Sequence, residues 1–178
     1  MQDERMEVER VKQGSGESEA DRVHAAVGNS GRVIVRRLLP GVDLIGGLEG
    51  ACDEFGFAYA SVVAYGSLAS AEFMVLGPEE EVGRREEGPL VPLVVSTRVE
   101  FLGGQGLVCR DANGVRATHL HGCVADATGS IRGGHFIAGK NRVLNNVDFV
   151  LTELVGVSLT RVYDVATNTV EMIAARAL

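Results

Sequence analysis

The sequence predicts an α+β fold, an antiparallel-rich mixed β-sheet with one main packed helix. Three observations carry this. Gly accounts for 23 of 178 residues, well above the usual share of roughly 7%, which points to many tight turns. Short β-branched runs recur between those turns. Only one segment has clear helical spacing of apolar residues.

The elements follow in order. Residues 1–31 mix seven acids with four bases and have little periodicity, so we expect a flexible charged extension with a short helix over Glu4–Lys12. A domain over 32–178 is expected to follow, with structure beginning at Val33. VIVRRLL reads as a strand that runs into the Pro40-Gly41 turn. Asp43 caps a helix over Leu44–Phe55, where Leu44, Leu48, Ala51 and Phe55 share one face, and Gly56 stops it. FAYASVVAYGSL and SAEFMVL are two strands, with Gly66-Ser67 read as the break between them. Residues 77–89 form a charged loop. VPLVVSTRVEFL is one strand, ended by GGQG. LVCRD and VRATHLHGCVA are joined by a hairpin at Asn113-Gly114, since Asn-Gly between apolar runs is a strong turn signal. SIRGGHFIAG, DFVLTELV, LTRVYDV and TVEMIAAR complete the strands, with a turn at Thr167-Asn168.

Composition excludes several function classes. No stretch approaches the ~20 apolar residues that span a bilayer. The N-terminus lacks an apolar core, so no secretory leader is expected. A net charge of −7 opposes generic binding to a phosphate backbone. Arg32, Arg36, Arg37, Arg84, Arg85, Arg110 and Arg116 are scattered among acids, and no aromatic stacking platform is visible. Arg36 and Arg37 should point to opposite faces of a strand, one of them toward an acid. Cys52, Cys109 and Cys123 form no disulfide framework, which makes a reducing cytoplasm the expected location.

Three of the four histidines lie within seventeen residues: His119, His121 and His135. His119 and His121 are two apart, so in a strand both imidazoles reach one face. The turn decides whether His135 joins them. A two-residue loop at Ala127-Thr128 sets His135 across from Leu120, on the wrong face. A three-residue loop at Ala127-Thr128-Gly129 pairs Asp126 with Ser130 and sets His135 across from His121. Gly129 suits the left-handed position that ends such a loop. Three imidazoles suit zinc, or another divalent transition metal, with a fourth position open to water or substrate. Cys123, two residues past His121 on the same face, would close the site as a fourth ligand. Gly133 and Gly134 leave room for another chain or a ligand to approach.

The stretch HLHGCVADATGSIRGGHF resembles the signature of the PPC domain (DUF296) of plants and prokaryotes. The likeness extends to Arg37, Leu38, Pro40-Gly41, Asp43-Leu44, Leu48, Gly66-Ser67-Leu68, Val99-Glu100-Phe101-Leu102, Glu153-Leu154 and Arg161, about residues 32–175 in all. It implies a trimer of compact subunits, with a metal, usually zinc, on His119, His121 and His135. In plant members the domain follows an Arg-Gly-Arg-Pro element that enters the minor groove. This chain has none, since its Gly31-Arg32 and Gly83-Arg84 continue as GRV and GRR. It departs from the family pattern also at Lys140-Asn141-Arg142 and at Asp148.

Three functions follow as expectations. The first is a zinc-binding homotrimer whose three-His site binds or transforms a small anionic molecule. Lys140 and Arg142 are then candidate anion contacts, Cys123 a further ligand contact, and Asp126, Glu100 and Asp148 candidate bases by type. Catalysis there would be of the lyase or hydrolase type with metal-bound water. The second is a DNA-binding or transcription-associated module, and the third a structural trimeric interaction module that recruits partners.

Overall fold

The computed structural model describes residues 25–77, 90–164 and 169–177. The expected Glu4–Lys12 helix, most of the charged loop (78–89) and the Thr167-Asn168 turn lie outside them. The described chain contains one helix, α1 (Leu44–Phe55), and eleven strands. These are β1 (Asn29–Leu38), β2 (Ala60–Leu68), β3 (Ala71–Leu76), β4 (Leu90–Val95), β5 (Val99–Val108), β6 (Arg110–Asp111), β7 (His119–Ala125), β8 (Ile131–Phe136), β9 (Val143–Val155), β10 (Val157–Asp164) and β11 (Thr169–Ala177). Eight of them form one sheet in the order β1-β9-β2-β5-β7-β8-β3-β4. Every pairing in it is antiparallel. A second sheet runs β11-β10-β6, with β6 parallel to β10.

One face of the large sheet is covered by α1. Asp43 accepts from the Gly46 amide at 2.9 Å, which satisfies one of the helix's free N–H groups. Gly56 closes the helix at φ 69°. Leu44, Ile45, Leu48, Ala51 and Cys52 are buried against the sheet, while Phe55 is exposed beside Arg36. Phe55 therefore leaves the expected buried stripe. Beneath them Phe136 packs on Phe73 (centroids 4.6 Å apart) and on Phe101 (5.2 Å). The opposite face of the sheet has no helix on it among the described residues.

Several boundaries differ from expectation. β1 begins at Asn29, ahead of Val33. Gly66 and Ser67 lie inside β2, and the chain turns at Ala69 and Ser70. Gly66 is needed for close approach: a Cβ there would lie 2.2 Å from the Asn146 carbonyl oxygen. The VPLVVSTRVEFL run breaks at Ser96–Arg98, and β5 continues through GGQG. Its glycines sit against β7, and a Cβ on Gly106 would lie 1.9 Å from the His119 carbonyl oxygen. Asn113-Gly114 is the expected turn, and Asp111 organises it by accepting from the Asn113 and Val115 amides. Arg110 pairs with Arg116 across it, and the same register continues through Leu107–His119 and Gln105–His121, so the expected hairpin joins the end of β5 to β7.

Candidate metal centre

The site is built on β7 and β8. Along β7, Leu120 and Val124 are buried in the core, which turns His119, His121 and Cys123 to the uncovered face. The connection to β8 is the three-residue loop expected from Gly129. The Asp126 amide donates to the Ser130 carbonyl at 3.1 Å, and the Gly129 amide to the Asp126 carbonyl at 2.9 Å. Gly129 has φ 82°. The Asp126 carboxylate also accepts from the Thr128 hydroxyl and from the Thr128 and Ser130 amides. The Thr128 hydroxyl, followed by the Thr128 amide, holds that carboxyl below its ordinary range.

This turn sets the register, and His121 pairs with His135 across the strands. The His119 and His121 rings stack with centroids 4.8 Å apart. His135 meets them edge-on, at 4.9 Å from His119 and 5.2 Å from His121. One ligand atom from each lies within 4.8 Å of the others. Three nitrogens on tetrahedral zinc, at about 2.0–2.1 Å each, would stand roughly 3.3–3.4 Å apart, so small ring rotations complete the set. Neutral imidazoles are ordinary donors for zinc and neighbouring divalent metals, so the residues fit such an ion.

Because a Cβ added at Gly129 would meet nothing within 4 Å, its requirement is conformational alone. Gly129→Val should therefore cost about 1–2 kcal/mol for a left-handed β-branched residue. Thermal melts check the stability, and metal titration should show weaker uptake as the register loosens. An unchanged protein would remove the turn from the account.

The other sequence candidates fall elsewhere. Cys123 shares the face but is not in the three-His cluster. Cys52 and Cys109 are buried, and burial pushes both thiols up to about 11, so neither offers a ready thiolate. Lys140 is exposed in the loop after β8, and Arg142 donates to the Gly41 carbonyl at the helix entrance. Asp126 is engaged in the turn, Asp148 pairs with Arg37, and Glu100 is exposed on β5 opposite Ala125. Gly133 and Gly134 are crowded by neighbouring strands: a Cβ would meet the Gly122 oxygen at 2.4 Å or the Met74 oxygen at 2.7 Å. The room expected beside them is filled by β7 and β3.

Sequence reasoning missed the clamp on the residue before His119. Thr118 is buried, and its amide and hydroxyl donate to Glu49 Oε1 of α1 at 3.1 and 2.8 Å. Its carbonyl accepts from Arg161 of β10 at 3.1 Å. No spacing rule links positions so far apart in the chain.

A family model described as the Plants and Prokaryotes Conserved (PCC) domain matches residues 25–155. The chain belongs to the PCC domain family. Solved structures show the same PCC fold. A metal-containing protein from Archaeoglobus fulgidus is 22% identical, with a TM-score of 0.68, covering 85% of this chain and 98% of its own. A plant- and prokaryote-conserved protein from Pyrococcus horikoshii is 20% identical, with a TM-score of 0.66 and coverages of 84% and 97%. A candidate DNA-binding protein from Ralstonia eutropha is 20% identical, with a TM-score of 0.63 and coverages of 78% and 88%. No curated protein matches this PCC chain.

Proposed function

We propose that this chain is a zinc-binding PCC-domain homotrimer whose three-His site binds or transforms a small anionic molecule. The observation that carries the reading is the convergence of His119, His121 and His135 on one strand face, with ligand atoms within 4.8 Å. That a relative of the same fold is metal-containing accords with it. A bound zinc with an open position would supply Lewis acidity toward a substrate oxygen. The chain's own residues do the rest. The hairpin turn holds His135 in register, and the Thr118 clamp fixes the entry to His119. Gln105, opposite His121 and exposed, is a neutral polar group at the rim. Metal content per chain, by mass spectrometry on untagged protein, tests the reading. Near-stoichiometric zinc supports it, and a metal-free protein that takes up none on titration overturns it.

The uncovered sheet face supports self-association. Val35 pairs with Val150, and Val150 with Val63, so their side chains form an apolar row leading toward Gln105 and His121. Val35 is 78%, Val63 59% and Val150 37% exposed. Contiguous exposed apolar surface of this kind marks an interface, here with further copies of the chain. Val63→Glu should convert a trimer to monomers by light scattering. A trimer that survives the substitution would move the interface elsewhere.

Direct DNA binding is the weaker reading, although relatives of the same fold are candidate DNA-binding proteins. Arg32 pairs with Glu153, Arg36 with Glu54, Arg37 with Asp148 and Arg116 with Asp53, so both members of the Arg36-Arg37 pair, not one, meet acids. Such pairs leave little net charge for phosphates. No helix of the described residues is long and apolar enough to cross a membrane. The three free cysteines accord with a reducing cytoplasm as the site of action.

A further inference from the structure

The second sheet brings a cation to the backbone of the residue before His119. On β10, Val157 and Leu159 are buried in a small second core with Cys109, against which Leu107 and Tyr59 pack. Leu107 stands directly across from His119 on β5 and β7. Residues two apart share a strand face, so Arg161 continues the side of β10 that Val157 and Leu159 turn toward Leu107. Its Nη1 donates at 3.1 Å to the carbonyl of Thr118, the residue immediately before His119. Thr118 is itself held from below by Glu49. The guanidinium is therefore held by β10 and by the backbone leading into His119, and Arg161 is half-buried.

A guanidinium next to a site for a divalent cation is repulsive taken alone. An anion lying between the two removes that repulsion and gains from both. The planar guanidinium fork matches a carboxylate, and its contacts to one are charge-assisted. We propose that Arg161 and the metal on His119, His121 and His135 form a two-point site for a small dicarboxylate. One carboxylate faces the metal's open position, and the other meets Arg161. This rests on the metal reading above and adds to it the ligand's second anionic group and the residue that selects it. Arg161, and not Lys140 or Arg142, is then the anion contact.

The test uses the full chain loaded with cobalt(II), titrated with malonate and with acetate while the visible absorption of the cobalt is followed. Cobalt content is measured before and after each titration. Wild type should prefer malonate over acetate by about tenfold or more, as a charge-assisted contact implies. In Arg161→Met, compared with wild type at equal cobalt occupancy, the preference should fall to about twofold or less once that contact is gone. Arg161→Gln keeps a donor for the Thr118 carbonyl without the charge, so it decides the matter if the Met variant fails to fold. It too should lose the preference, and Arg161→Lys should restore part of it. A wild type without preference, or a preference that survives both neutral variants, overturns the two-point site and leaves the metal reading standing. Failure to take up cobalt overturns both.

Discussion

His135→Ala should abolish tight metal binding while leaving the fold in place. The variant keeps His119 and His121 on β7 but loses the cross-strand nitrogen that makes the set three. Losing an outer-shell partner costs roughly 10–100-fold in metal affinity, so losing a ligand should cost about 100-fold or more. The hairpin does not depend on the imidazole, because its register is fixed by Gly129 and the Asp126 turn. Phe136, buried on the core face, keeps β8 anchored. Zinc titration against a competing chelator, with thermal melts of the metal-free proteins, separates the two effects. An affinity within about threefold of wild type would place the metal on other residues.

Asn141→Ala should be the most damaging polar substitution in the described chain. Asn141 is fully buried, and its side chain is fully committed. Its Oδ1 accepts from the Glu72 amide at 2.9 Å, and its Nδ2 donates to the carbonyls of Ile137 at 2.7 Å and Glu72 at 3.3 Å. Its amide donates to Asp43 Oδ2, and its carbonyl accepts from the Leu44 amide. One side chain thus ties the end of β8 to β3, while its backbone joins both to the start of α1. Removing it leaves the Glu72 amide without its acceptor, at about 1–3 kcal/mol, and takes one of two donors from each of the Ile137 and Glu72 carbonyls, at about 0.5–1.5 kcal/mol each, or about 3–5 kcal/mol in all. At about 2–4 °C per kcal/mol, that lowers Tm by roughly 6–20 °C. A loss under about 1 kcal/mol in urea unfolding would show that the loop relaxes or takes up water. Exposed ion pairs such as Arg37–Asp148 should matter far less, because solvent screens them.

The three-His cluster was legible in the sequence because every step to it is local. Alternation puts His119 and His121 on one face, and a three-residue turn ending in Gly129 fixes the partner of His121. Helix α1 was legible for the same reason, from its cap and its spacing. Phe55 was misplaced because spacing gives a face and not the width of what covers it. The glycines misled more. Gly66 and Gly103–Gly106 look like turns in one dimension, but Gly66 and Gly106 are demanded by backbones pressing from adjacent strands, and Gly104 by the Phe101 ring. Asn113-Gly114 was legible as a hairpin turn, whereas the second pairing of β6, to β10, lies too far along the chain to be read from it. Glu49, Thr118 and Arg161 were invisible as a group because only the tertiary fold brings a helix, a strand entry and the second sheet together.

X-ray absorption of the zinc-loaded protein tests most directly whether three imidazoles make an open metal site. Three imidazole nitrogens and one further light atom are expected at about 2.0–2.1 Å, with no sulfur. A sulfur scatterer at about 2.3 Å would bring Cys123 into the shell and make the centre closed and structural. That result would contradict the open position on which ligand binding depends.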